Sequence, residues 1–110
     1  MSFEVYILPR FTREMKPLAK RYRSLKAELL ALVAELKETP TMGTPLGKGC
    51  YKIRLSIATK GKGPSGGGRI ITNVVVTGKK VFLISIFDKS ERENISVEDL
   101  QAAIAEIPKE

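Results

Sequence analysis

The period of the apolar residues changes once along this chain, and that change restricts the fold more than any other feature. From Met15 to Leu36, the residues Met15, Leu18, Tyr22, Leu25, Leu29, Leu32 and Leu36 return every three or four positions, one stripe on helical backbone. From Tyr51 the return is every second residue. Tyr51, Ile53, Leu55 and Ile57 face one way, while Lys52, Arg54 and Ser56 face the other, as in a strand buried on one side. Helices followed by sheet predict an α+β domain, with the two N-terminal helices packed on one face of a small, mainly antiparallel sheet and a short helix at the C-terminus. The 110 residues suit a single domain, 1–110.

The remaining elements follow from local signals. "FEVYIL" alternates as a first strand, with Phe3, Val5 and Ile7 on one face. Pro17 sits near the expected start of the helical region, and Ser24 is a candidate N-cap that divides it into two helices. "TPTMGTPLGKG" reads as a Pro/Gly-rich connector. "RIITNVVV" and "KKVFLISIF" are nearly continuous apolar runs, expected in mid-sheet, joined by a turn at Thr77–Gly78. In "ISVEDLQAAIAEI", Ser96 with Asp99 forms a capping box and Ile95 with Leu100 a hydrophobic staple, so a short helix closes the chain. The predicted order is β-α-α-β-β-β-α.

Several function classes are excluded. No apolar run reaches the roughly 20 residues needed to span a bilayer, and the mixed N-terminus does not read as a signal peptide. The single Cys50 cannot form an internal disulfide, consistent with a reducing, cytoplasmic setting. Histidine is absent, which removes the commonest metal ligand and acid–base group; no metal and no cofactor is expected.

Charge is unevenly spread. Residues 1–38 hold eight Lys/Arg and five Asp/Glu, and residues 88–110 hold three and seven. Between them, Thr39 to Phe87 carries eight basic residues and no acid. A surface cleared of carboxylates is suited to a polyanion.

The middle of that basic stretch is "ATKGKGPSGGGRIIT", with a G-x-G-x-x-G at Gly61, Gly63 and Gly66. A dinucleotide fingerprint opens a helix and is followed some 20 residues later by an acid; here Pro64 interrupts and a strand follows. No Lys-Ser/Thr completes a P-loop, and the chain is too short for a kinase. The segment instead predicts a hairpin tip carrying Lys60 and Lys62 and returning to Arg69. Its glycines would let backbone N–H groups approach an anion. Lys52, Arg54 and Arg69 are then expected to converge on the sheet face opposite the helices.

With "RYRSLKAELLALVAEL", "PTMGTPLGKGCYKIRLSI", "KGKGPSGGGRIIT" and "VFLISIFDKSERENIS" in this order, the chain resembles the RelE/HigB family of bacterial toxin ribonucleases, in particular its HigB-like branch. The resemblance implies a RelE-like fold, metal-independent cleavage of mRNA, often on the ribosome, and a cognate antitoxin that blocks the site. By position, it maps Lys52 and Arg54 to the paired basic residues of the second strand. Arg69 matches the arginine opening the third strand, and Lys89 and Glu91 the K-x-E after the last. Phe87 and Thr72 stand where relatives often carry tyrosine, and Asn94 lies where a C-terminal tyrosine would be sought.

The reaction these residues suit is attack of a ribose 2′-OH on the adjacent phosphate, whose nucleophile is already positioned. Arg54 and Arg69 are the expected stabilisers of charge on the phosphoryl oxygens. Lys52 and Glu91 are the candidate bases, and Lys89 would support the leaving 5′-oxygen. Lys60, Lys62 and Phe87 are the candidate RNA-binding residues, the lysines on backbone phosphates and Phe87 stacked on a base. Two other readings fit the same residues: a relative that binds RNA or the ribosome without cleaving, and a basic domain that binds an acidic protein.

Overall fold

Pro9 begins the first helix. Its fixed φ suits the first helical position, and its missing N–H is no loss there. In the computed structural model, which describes residues 2–60 and 66–109, α1 therefore spans Pro9–Arg21 and Pro17 lies inside it rather than near its start. The second helix, α2 (Leu25–Glu38), does begin after Ser24. The Ser24 hydroxyl, however, caps nothing: it accepts the Thr59 N–H at 3.1 Å and bonds the Thr59 hydroxyl at 3.0 Å. Ser24 thus ties the helix junction to the 3₁₀ turn Ala58–Lys60. The C-terminal helix α3 (Val97–Ala105) has the expected cap, with the Asp99 N–H donating to Ser96 Oγ at 3.1 Å.

Five strands form one sheet in the order β1-β5-β4-β3-β2. They are β1 (Glu4–Ile7), β2 (Thr44–Gly47), β3 (Cys50–Leu55), β4 (Gly68–Val75) and β5 (Lys80–Asp88). The edge strand β1 runs parallel to β5, and every other pairing is antiparallel. The strand β2 was hidden in the Pro/Gly connector. It forms because Gly47, Lys48 and Gly49 all take positive φ, which folds "TPLG" back onto β3 in a tight hairpin.

The sheet is packed on both faces, with the two N-terminal helices together on one of them, as the sequence predicts, and α3 on the other. Leu18, Leu25, Leu32 and Leu36 of the stripe pack on one face against Ile53, Leu55, Ile70 and Leu83. On the other face Ala103 of α3 joins Phe82, Ile84 and Phe87 of β5, with Ile71 and Leu8. Ile7, expected in the core, is exposed on the edge strand.

A bulge in the central pair links these two cores. Ile71 pairs with Ser85 and Thr72 with Leu83, so Ile84 is an extra residue on β5. The shift turns Ile86 toward α1 and α2, and Phe87 toward α3. β1 pairs only as far as Leu83, leaving the later edge of β5 without a strand. There Glu14 of α1 substitutes for one: its carboxylate accepts the Ile86 N–H at 3.3 Å and the Ser85 hydroxyl at 2.8 Å.

Candidate nucleic-acid interface

β3 and β4 bring three of the expected cations together. Ile53, Leu55 and Ile70 point into the core beneath α1 and α2, so Lys52, Arg54 and Arg69 point to the opposite face. Arg54 lies directly across from Arg69, and Arg69 directly across from Phe87. Residues so paired have Cβ atoms about 4.5–5.5 Å apart. Arg54 is exposed, Lys52 is part-buried, and neither pairs with a carboxylate among the described residues. Lys52 Nζ donates to Asn94 Oδ1 at 3.4 Å, which orients it from the loop before α3. Arg69 is only 3% exposed, and its Nη1 donates to the Gly68 carbonyl at 3.0 Å. The row therefore has one fixed, buried guanidinium and one free to solvent.

The other expected site residues lie elsewhere. Lys60 does not project as a phosphate-binding lysine. Its ammonium pairs with Asp88 and donates to the Gly66 carbonyl at 2.7 Å, and its side chain is 9% exposed. Phe87 is not a stacking platform: it is 4% exposed, packed in the α3-side core, with the Arg92 guanidinium 4.4 Å from its ring centre. Lys89 sits in the turn after β5 and pairs with Glu93 at 3.8 Å. Glu91, in the same turn, meets Arg21 at 3.9 Å in a cleft of about 310 Å³ between α1 and β5 that Leu18, Ile86 and Arg92 also line. The Glu91 carboxylate, itself exposed, thus lies toward α1 rather than in the Lys52–Arg54–Arg69 row. Lys62 lies outside the described residues.

The principal group that the sequence reading passed over is Asp88. It is fully buried at the end of β5 and accepts from Lys60, from Tyr22 Oη at 2.7 Å, and from the Ser90 N–H and hydroxyl at 2.9 and 2.8 Å. Burial alone would raise its pKa; the Lys60 ammonium, Ser90 and Tyr22 together outweigh that and hold it well below the usual carboxylate range. One signal for it was available: Asp88 is the first acid after the acid-free stretch. Tyr22 gave another, as a hydroxyl within a stripe of leucines.

The glycines also have a different use. A Cβ on Gly67 would come within 2.0 Å of the Leu55 carbonyl oxygen, so β4 can begin this close to β3 only with glycine there. Among the described residues no group of His, Cys, Asp and Glu could hold a metal ion, and no helix is long and apolar enough to cross a membrane.

The family model described as RelE toxin of the RelE / RelB toxin-antitoxin system matches residues 9–109. The chain belongs to the RelE toxin family. Its fold agrees: the free E. coli RelE toxin, in a double arginine-to-alanine mutant, superposes with a TM-score of 0.62 at 21% identity, covering 98% of this chain and 100% of that one. The same mutant bound to an antitoxin RelBc peptide gives 0.61 at 22% identity, with 98% and 100% covered. RelE in the intact E. coli RelBE toxin-antitoxin complex gives 0.60 at 22%, covering 79% of this chain and 96% of that one. No curated protein matches the chain. The match is to the RelE family and does not single out the HigB-like branch.

Proposed function

We propose that this RelE-family protein is the toxin of a toxin–antitoxin pair and an endoribonuclease that cleaves mRNA on the ribosome, in the cytoplasm. The observation that carries the reading is the Lys52–Arg54–Arg69 row on one sheet face. Lys52 and Arg54 share one face of β3 with no carboxylate partner among the described residues, Arg54 lies across from Arg69, and a sugar–phosphate strand supplies one anion at each nucleotide.

The chemistry is 2′-OH attack on the adjacent phosphate, which breaks the bond to the 5′-oxygen and leaves a cyclic phosphate. In this reading Arg69, whose Nη1 donates to the Gly68 carbonyl, stabilises the phosphoryl oxygens, and the exposed Arg54 binds the same strand from β3. Lys52 is the candidate base, since it lies in the row with Arg54 and Arg69 whereas Glu91 lies toward α1. Lys89, whose backbone N–H donates to the Gly67 carbonyl just before β4, is proposed to support the leaving oxygen from the neighbouring turn. No resident metal is required, because the nucleophile is internal and the cations are side chains. An antitoxin would oppose this basic face with acidic residues or cover it with a helix.

The test is induction of the protein in bacteria, with transcript ends mapped. Growth arrest and new mRNA 5′ ends are expected, and both should disappear for Arg54→Ala and Lys52→Ala. Salt-sensitive RNA binding with intact transcripts would replace this reading by a non-catalytic one. Absence of any RNA affinity, with tight binding to an acidic protein, would replace it by the third.

A further inference from the structure

We infer that Asp88 is a positioning residue which, through Lys60, sets Arg69 and the turn bearing Lys89 and Glu91 in fixed relation to each other. The inference rests on the endoribonuclease reading above.

The wiring around this carboxylate is specific. Oδ1 accepts from Lys60 Nζ and from the Ser90 N–H and hydroxyl; Oδ2 accepts from Tyr22 Oη and lies 3.5 Å from Arg21 Nη1. Lys60 spends its remaining donors on the carbonyls of Gly66, at 2.7 Å, and Gly67, at 3.5 Å. One ammonium therefore ties the end of the 3₁₀ turn to the two residues just before β4. Gly68 is the register partner of Asp88, and Arg69 is the next residue. On the other side the Lys89 N–H donates to the Gly67 carbonyl at 3.1 Å, and the Glu91 N–H to the Asp88 carbonyl at 3.0 Å. A single carboxylate therefore joins the entry to β4, the turn after β5, and the end of α1.

Stability alone does not account for such an arrangement. A buried ion pair is often no more stabilising than an apolar pair of the same volume, because both charges lose their hydration. It does fix geometry, and groups that meet a transition state must be held within about 0.5 Å. The Lys60–Asp88 pair supplies that constraint to Arg69 without touching the substrate.

The experiment compares Lys60→Met, Lys60→Arg, Tyr22→Phe and Asp88→Asn with the wild type, each below its own melting temperature. Three quantities are read: kcat and KM on an mRNA substrate bound to ribosomes, and the NMR resonances of Arg69 Nε–H and the Gly66 and Gly67 amides. Lys60→Met is expected to lower kcat by up to about 100-fold with little change in KM, as small misplacements do. It should also shift the three resonances, and Lys60→Arg should restore both. Tyr22→Phe, which removes one hydrogen bond and no charge, should give a smaller change in the same direction. Wild-type kcat together with unshifted resonances in folded Lys60→Met overturns the inference. If the wild type cleaves no RNA, the endoribonuclease reading fails by itself and the resonances decide: a shift reversed by Lys60→Arg sustains the positioning role, and no shift ends it.

Discussion

Asp88 and Phe87 are neighbours whose side chains leave the strand in opposite directions, and their contributions differ accordingly. Asp88→Asn would leave the Lys60 ammonium buried beside a neutral amide. Breaking a buried pair from one side costs about 3–5 kcal/mol, to be read as a lower urea midpoint. The pH dependence has a defined sign. Because folding depresses the Asp88 pKa, its stabilisation is complete above the unfolded value of about 4 and is lost progressively as pH falls below it. Urea midpoints measured from pH 6 down to pH 2 should therefore fall more steeply for the wild type than for Asp88→Asn. Phe87→Ala should behave as a core deletion, destabilising by about 3–5 kcal/mol. Phe87→Leu, which keeps the site apolar but removes the ring, should retain wild-type RNA affinity; selective loss of that affinity in a folded Phe87→Leu would restore the stacking role. Sequence alone could not separate these outcomes, since the alternation through Leu83 and Ser85 is broken by the extra Ile84.

At the scale of elements, periodicity carried most of the information. The leucine stripe, the β3 alternation and the α3 cap are all where their patterns put them, because each depends on residues close in sequence. β2 was missed because its strand character comes from pairing with β3 across a turn of positive φ, which "TPLGKG" does not reveal by composition. The glycine run was legible as a turn, whereas its reason, the Leu55 carbonyl facing Gly67, depends on a neighbouring strand. Gly67→Ala should accordingly push β3 and β4 apart at the point where Arg54 and Arg69 pair. It should cost about 1–3 kcal/mol as overpacking does, and weaken RNA binding as well. Gly47→Ala, with open space around its Cβ, should affect stability alone through its φ of +88°. Paired denaturation and RNA-binding titrations on these two variants measure both effects.

The whole molecule has two packed faces with different surfaces. α1 and α2 seal one side, and α3 covers β5 on the other, leaving Arg54 on β3 open beside Arg69. The acid-free stretch of the sequence made this surface legible in outline, since Lys52, Arg54 and Arg69 from that stretch lie on β3 and β4. It did not reveal that Lys60 would be consumed by Asp88, because that pair joins residues 28 apart. The most direct test of the central claim is the affinity of single-stranded RNA as a function of salt, for wild type and Arg54→Ala. Arg54 is exposed, so the fold should be unchanged within about 0.5 kcal/mol. The account predicts weaker binding to every RNA sequence and a log–log salt slope shallower by about 0.7, the loss of one phosphate contact. An unchanged affinity and an unchanged slope would contradict it.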